Sequence, residues 1–284
     1  VEKIVPLSEY PLADFISLVN EIFSDYAIPI NWDVLNFKLD AKENSLSFDD
    51  SFVFLDKDTP VGFIVIGIRK KMGRIDAMGV VKEKRGTGLA QKILQYAINR
   101  LEWKGIEQVI LEVASNDMRA VRFYEKNGFR QIRSLYTLAI RPEDFVEQGD
   151  GEFLKTEAGW IHWASMSALV NIPRKPNWQR DPTTLYLSGN RYNLKKIVID
   201  GEEGYLVWGE TDDSAFIVDV SPVKNPDYFQ IMVASSVKKL FSETSKRVIT
   251  MSSVPEDDLL YSSAIKVGFR SIFKQYEMCF RLLL

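Results

Sequence analysis

The chain has 284 residues, more than one compact core usually holds, so two domains or one large one are expected. With 46% hydrophobic and 26% charged residues, a sizeable core can form without staples, and a single cysteine, Cys279, excludes an intramolecular disulfide framework. The formal net charge of −3 hides an asymmetry: acids dominate residues 1–60 and bases dominate 61–140, as suits a region that attracts a cation beside one that holds a polyanion.

Residues 1–7 read as a short edge strand. Pro11 then opens a segment with apolar residues at helical spacing through Phe23, and Asn31-Trp32-Asp33 is placed to cap a second short helix. Strands are expected at 51–55, 61–68 and 74–81, the first two joined by the polar turn 56–60. Residues 88–103 form an amphipathic helix with Leu89, Ile93, Leu94, Ala97, Ile98 and Leu101 on one stripe, and Gly105 stops it. A strand at 108–113, a helix at 118–126 and a strand at 129–140 follow. Arg141-Pro142 and the polar run 147–151 mark a boundary.

Beyond it the pattern repeats, with strands at 195–200, 204–208 and 215–220, a helix at 228–241, a strand at 247–251 and a helix at 257–266. Gly268-Phe269-Arg270-Ser271-Ile272 echoes Gly128-Phe129-Arg130-Gln131-Ile132 at an offset of 140 positions (128 to 268). Two copies of one mixed α/β domain, at 1–141 and 142–284, explain this most economically.

Met78-Gly79-Val80-Val81 runs through Lys82-Glu83-Lys84 into Arg85-Gly86-Thr87-Gly88-Leu89-Ala90, a strand, a glycine-rich turn and a helix start. A pyrophosphate needs converging backbone N–H groups with positive dipole behind them, and the first turn of a helix supplies both. Gly86 and Gly88 allow close approach and backbone angles that a Cβ would penalise. Downstream, Asn116 stands at a strand end, Phe123-Tyr124 lies on the next helix, and Asn127-Gly128 ends that helix.

These two segments, in this order and separation, resemble the signatures of the GNAT (GCN5-related N-acetyltransferase) superfamily. Residues 85–90 are similar to its R/Q-x-x-G-x-G/A loop, and residues 116–129 look like its second signature. The resemblance covers about residues 1–141, and the rest through the internal repeat. It implies two tandem GNAT-like domains, each a mixed, mostly antiparallel sheet flanked by helices, whose strands splay near Val80 to admit the pantetheine arm of acetyl-CoA. It also implies direct acetyl transfer to an amine in a ternary complex.

Carried over to this sequence, Met78, Gly79 and Val80 would bond the pantetheine arm. The amides of Gly86, Thr87, Gly88, Leu89 and Ala90, with Arg85 leading in, would cradle the pyrophosphate. Asn116 would hold the cofactor near its reacting end, and Tyr124 would protonate the departing thiolate, as a phenol of pKa about 10 can. Glu112, twelve positions before Tyr124, matches the glutamate that serves as base in protein N-terminal acetyltransferases; Asp76 is the second candidate. The acid-rich N-terminal segment fits a cationic amine acceptor, and Tyr26, Trp32 and Trp178 could line its pocket, although aromatic core residues are the default reading.

In the second copy, Arg85-Gly86-Thr87-Gly88 maps onto Asn225-Pro226-Asp227-Tyr228 and Tyr124 onto Ala264 at the offset of 140. Proline offers no N–H and aspartate repels phosphate, so this copy is degenerate as a cofactor site. It would pack on the first copy, shape the acceptor cleft or replace a dimer partner, in a monomer or a homodimer.

With one histidine, His162, and one cysteine, neither a Ser-His or Cys-His triad nor a metal site is expected, and His162 reads as a packed residue. No long basic block with interleaved aromatics points to nucleic acid. No apolar run reaches the roughly 18–20 residues of a membrane span, and residues 1–4 carry no secretory pattern, so the cytoplasm is the expected location. The alternative to an enzyme is a non-catalytic acyl-CoA sensor or scaffold, which the presence of Tyr124 counts against. The pyrophosphate loop argues against an aminoacyl-tRNA donor and leaves a longer acyl-CoA open.

Overall fold

Strand β1 (Lys3–Pro6) leads into helix α1 (Leu12–Phe23), whose Phe15, Ile16, Leu18, Val19, Ile22 and Phe23 are all buried, as their spacing requires. The computed structural model describes residues 3–25 and 31–282, so Tyr26 lies outside the described residues. Helix α2 (Val34–Glu43) starts at Asp33, whose carboxylate accepts the Asn36 amide at 2.9 Å, a side-chain cap. Strands β2 (Phe52–Asp56), β3 (Thr59–Arg69) and β4 (Met72–Val80) follow as an antiparallel meander. Helix α3 (Leu89–Trp103) then crosses over to β5 (Gln108–Ala114), which pairs parallel with β4. Helix α4 (Met118–Lys126) and strand β6 (Arg130–Ile140) complete the first half.

The second half runs β7 (Glu152–Lys155), α5 (Ala158–Asn171), α6 (Pro182–Leu187), β8 (Asn193–Ile199), β9 (Glu202–Glu210) and β10 (Ala215–Pro222), then α7 (Phe229–Glu243), β11 (Ile249–Pro255), α8 (Leu259–Val267) and β12 (Arg270–Arg281). β8, β9 and β10 pair antiparallel and β10 pairs parallel with β11, the pattern of β2 through β5. The expected tandem of two GNAT-like folds, each a mostly antiparallel sheet flanked by helices, is therefore present.

The chain forms two compact units. The first takes residues up to Val113, Asp117–Ile132 and the chain's last residues from Glu277; the second takes Ala114–Asn116 and Arg133–Tyr276. Within the first unit the end of β12 lies beside β5, and the Leu282 amide donates to the Glu107 carbonyl at 2.9 Å. Within the second unit β6 pairs antiparallel with β11, through Ile140 with Ile249 and Leu138 with Met251. Each half thus supplies the strand beyond the parallel pair of the other half's sheet.

In the first unit α1 and α2 cover one sheet face. Phe15 sits 5.5 Å from Phe37 and 5.4 Å from Phe63, ring centre to ring centre, and Trp32 lies 4.9 Å from Phe37, so Trp32 is part of this aromatic core. Trp178 is likewise buried, in the second unit. The α3 stripe predicted from periodicity is buried at every position.

Candidate active site

The pairing of β4 with β5 stops at Ile75 and Leu111, and the two strands part from Asp76 and Glu112 onward. A bulge sits at the same place. Val65 faces Ala77 while Ile66 faces Ile75, so Asp76 is the extra residue on β4. Past the bulge, Met78, Gly79 and Val80 border a cleft of about 840 Å³. A Cβ on Gly79 would come within 2.6 Å of Ile22, so only glycine lets α1 lie this close to the strand.

The loop from β4 to α3 forms a second wall, with Arg85, Gly86, Gly88, Ala90 and Gln91 on the cleft. Gly86 and Gly88 have φ of 79° and 84°, with open space where a Cβ would stand, so their requirement for glycine is conformational rather than steric. Gly88 is the N-cap of α3 and no side chain caps that helix. The first intrahelical bond runs from the Lys92 amide to the Gly88 carbonyl at 3.2 Å, leaving the amides of residues 89–91 without intrahelical acceptors. An anion in the cleft would meet these N–H groups and the positive end of the helix dipole.

Helix α4 forms the third wall through Met118, Arg119, Ala120, Arg122, Phe123, Tyr124 and Lys126, and its N-cap Asp117 accepts the Ala120 amide at 3.0 Å. Tyr124 is half-buried, its ring 5.2 Å from Phe123 and 5.7 Å from Phe129. The cleft thus gathers Met78, Gly79, Val80, Arg85, Gly86, Gly88, Ala90 and Tyr124 of the residues singled out from sequence. Thr87 and Leu89 instead border a neighbouring recess of about 170 Å³, and the Thr87 hydroxyl donates to the Lys84 carbonyl at 2.7 Å. Asn116 is exposed and, like Glu112, does not line the cleft.

The side chain of Arg85 is tied to the protein. Its guanidinium donates to both Asp25 oxygens at 2.6 and 3.0 Å, to the Ile22 carbonyl at 3.0 Å and to the Val80 carbonyl at 3.3 Å. The Arg85 bond holds the Asp25 carboxyl below its ordinary value. Arg74, 7% exposed, stands between the two candidate bases, 3.3 Å from Asp76 and 3.8 Å from Glu112, and donates to Asn44 at 3.3 Å. Burial raises the Asp76 carboxyl above its ordinary value; Arg74 opposes the shift, and Glu112 and Asp40 add to it.

Sequence reasoning did not single out Asp25, Lys84, Gln91, Asp117, Arg119, Arg122 and Lys126 as lining residues. The helical spacing of Arg119, Arg122 and Lys126 was a usable signal, since such positions share one helix face. Among the described residues no group of three or more His, Cys, Asp or Glu could hold a metal ion, and no helix is long and apolar enough to cross a membrane. His162 uses its Nδ1 against the Pro182 carbonyl at 3.1 Å and packs on Tyr186, a structural role in the second unit.

The second unit repeats the split with different contents. β10 and β11 pair only at Ala215–Ile249 and Phe216–Thr250, and the bulged residue is Val218. Between β10 and α7 a 3-10 turn at Pro226–Tyr228 abuts the helix directly, so no glycine loop intervenes. The Glu202 carboxylate accepts the amides of Lys224 and Asn225 at 2.7 and 2.9 Å. The chain's own anion therefore fills the nearest nest of N–H groups. Arg174 takes the interior, donating to both Asp219 oxygens at 2.9 and 3.0 Å and to Asp258 at 3.2 Å, with its guanidinium 5.3 Å from the ring centre of Phe229, the first residue of α7.

A parted parallel strand pair with an uncapped helix start beside it is the arrangement expected of a GNAT-like fold. Residues 14–129 match the Acetyltransferase (GNAT) family. Over 100 residues it is 31% identical to N-alpha-acetyltransferase 30 of Schizosaccharomyces pombe, covering 33% of this chain and 66% of that one. Over 124 residues it is 28% identical to mycothiol acetyltransferase of Thermobispora bispora, covering 40% and 41%. The chain thus spans about two thirds or less of the curated relatives it matches. Its fold resembles a tandem GNAT protein from the clavulanic acid biosynthesis pathway, with a TM-score of 0.66 and 11% identity, covering 98% of each chain. The family's general activity is acetyl transfer, and its members generally use acetyl-CoA.

Proposed function

We propose that the first unit binds acetyl-CoA in its cleft and transfers the acetyl group directly to an amine within a ternary complex. The observation that carries this reading is the uncapped start of α3, with Gly86 and Gly88 in left-handed conformations, opening onto a cleft bordered by the parted strand β4 and by Tyr124. The amides of 86–90 would hold the pyrophosphate, with the Arg85 side chain bracing the loop against α1. The pantetheine arm would run along Met78, Gly79 and Val80. Thr87 and Leu89 would contribute through their backbone alone.

The amine nitrogen attacks the thioester carbonyl carbon, the C–S bond breaks, and the leaving sulfur takes a proton from the Tyr124 hydroxyl. The proton released by the amine goes to Glu112 through water. Similarity to an N-alpha-acetyltransferase makes peptide α-amines the first acceptors to try. The half-buried Asp40 and Asp76 near Glu112 favour a cationic acceptor. The second unit serves as a structural partner and binds no acyl-CoA. We propose the cytoplasm as the location.

The test is thiol release from acetyl-CoA against amines, polyamines, amino acids and N-terminal peptides, beside Tyr124→Phe and Glu112→Gln. Acceptor-dependent release that falls about 100-fold in Tyr124→Phe, with acetyl-CoA binding kept, supports the reading. Tight acetyl-CoA binding with no turnover on any acceptor would turn it toward a sensor; no binding would sink the cleft assignment.

A further inference from the structure

The cations around the cleft fall into two groups. On the loop side, Lys84 is bound to Asp56 at 2.6 Å and Arg85 to Asp25, so their charges are spent on the protein's own carboxylates. On α4, Arg119, Arg122 and Lys126 are exposed, border the cleft, and have no carboxylate partner among the described residues. Positions separated by three and four residues share one helix face, so the three cations form a stripe. Helix stability does not explain it, because Arg119 stands in the first turn, where the helix dipole disfavours a cation and where α4 has no acidic residue.

Coenzyme A carries two separate anionic groups: the pyrophosphate and the ribose 3′-phosphate. The loop amides can satisfy the pyrophosphate through backbone and dipole alone. The unspent positive charge of the cleft then lies on a different wall. We infer that the Arg119–Arg122–Lys126 face of α4 recognises the ribose 3′-phosphate of the donor and makes this cleft select coenzyme A over its 3′-dephospho form. The inference rests on the donor reading above and adds a selectivity to it. Because the three side chains are exposed, the selectivity is electrostatic and weakens with salt.

Calorimetry on the full chain with coenzyme A and with 3′-dephospho-coenzyme A, at low and at physiological salt, tests this. Wild type is expected to favour coenzyme A by about tenfold at low salt and less at high salt. In the Arg119→Gln/Arg122→Gln/Lys126→Gln variant the preference drops to about twofold or less, while affinity for the dephospho form changes by less than about threefold. Glutamine keeps the helix propensity of these exposed positions, and circular dichroism checks that the fold is intact. Equal affinity of wild type for both ligands would overturn the inference, as would equal weakening of both by the triple variant, since the stripe would then serve the pyrophosphate. Wild type binding neither ligand is a distinct result that removes the donor reading and the inference together.

Discussion

Asp25 grips Arg85 with both carboxylate oxygens, 2.6 and 3.0 Å from the guanidinium, at the point where the glycine loop leaves β4. The same guanidinium reaches the carbonyl of Ile22 near the end of α1, where a cation is favoured by the helix dipole. One side chain thus fastens the loop's first residue to the helix over the sheet and leaves the anion-binding work to backbone amides.

The two partners should therefore respond oppositely to substitution. Arg85→Ala frees the loop from α1 and is expected to weaken acetyl-CoA binding by about tenfold or more. Asp25→Asn removes an anion beside the cleft and leaves Arg85 with more net positive field, so binding should hold or tighten by about two- to threefold at low salt. Calorimetry on both variants checks this, and parallel losses would show that Asp25 supports the site through the fold alone.

The position of Asp76 makes a prediction about pH. Its native pKa is raised, chiefly by burial, so between the ordinary 3.8 and that higher value the native state holds a proton the unfolded chain has lost. Unfolding free energy falls with rising pH wherever the native state binds more protons, so Asp76 should contribute a downward slope across this window. Urea denaturation in steps through the window should show that slope reduced in Asp76→Asn. Because Glu112 adds to the shift, Glu112→Gln should lower the Asp76 pKa, readable by carboxyl carbon NMR; an unchanged value would mean the two carboxylates are not coupled.

Asp50 makes the opposite case. It is 1% exposed; burial alone would raise its pKa, but Lys104 at 2.6 Å, Ser47 at 2.6 Å and Arg100 at 2.9 Å outweigh that and lower it. A depressed native pKa means stability that is full above the ordinary 3.8 and is lost as pH falls through the native value. Asp50→Asn should cost about 1–3 kcal/mol at neutral pH. The gap between variant and wild type should close on acidification below that ordinary value. A gap that persisted at low pH would place the loss in packing rather than in charge.

The parts of the molecule readable from sequence are those in which local chemistry and period coincide. The α3 stripe, the Asp33 cap and the Gly86 and Gly88 turn each follow from residues within a few positions of one another, and each forms as expected. The parting of β4 from β5 and the recurrence of the same strand order in the second half follow from the family signature and the internal repeat. What could not be read depends on partners far apart in the chain. Nothing near residues 270–281 says that the end of this strand lies beside β5, and nothing near Glu202 says that its carboxylate will accept the Lys224 and Asn225 amides. Helix α6 and the Trp178–Arg180 turn carry no strong period, and Arg174 looks like any loop arginine until Asp219 and Asp258 surround it. The mapping of 85–88 onto 225–228 located the lost glycines but not the anion and the arginine that occupy the second split.

That occupation leads to the last prediction. Arg174 and its partners Asp219 and Asp258 have side chains 2%, 0% and 0% exposed, and the Tyr205 hydroxyl donates to Asp219 at 2.7 Å. Burial and the neighbouring Asp219 carboxylate push the Tyr205 phenol well above its ordinary value, which keeps it a donor at any working pH. Removing the cation alone leaves two buried carboxylates uncompensated, so Arg174→Met should cost about 3–5 kcal/mol. Adding Asp219→Asn and Asp258→Asn should recover part of that loss, because the penalty lies in the unpaired charges; failure to recover any would assign it to the packing of Arg174 on Phe229. Both variants should still bind one acetyl-CoA per chain by calorimetry. Emptying the split leaves Glu202 on the Lys224 and Asn225 amides and restores no glycine loop at the start of α7. A second binding event in the variants would show that Arg174 alone had kept the second unit closed.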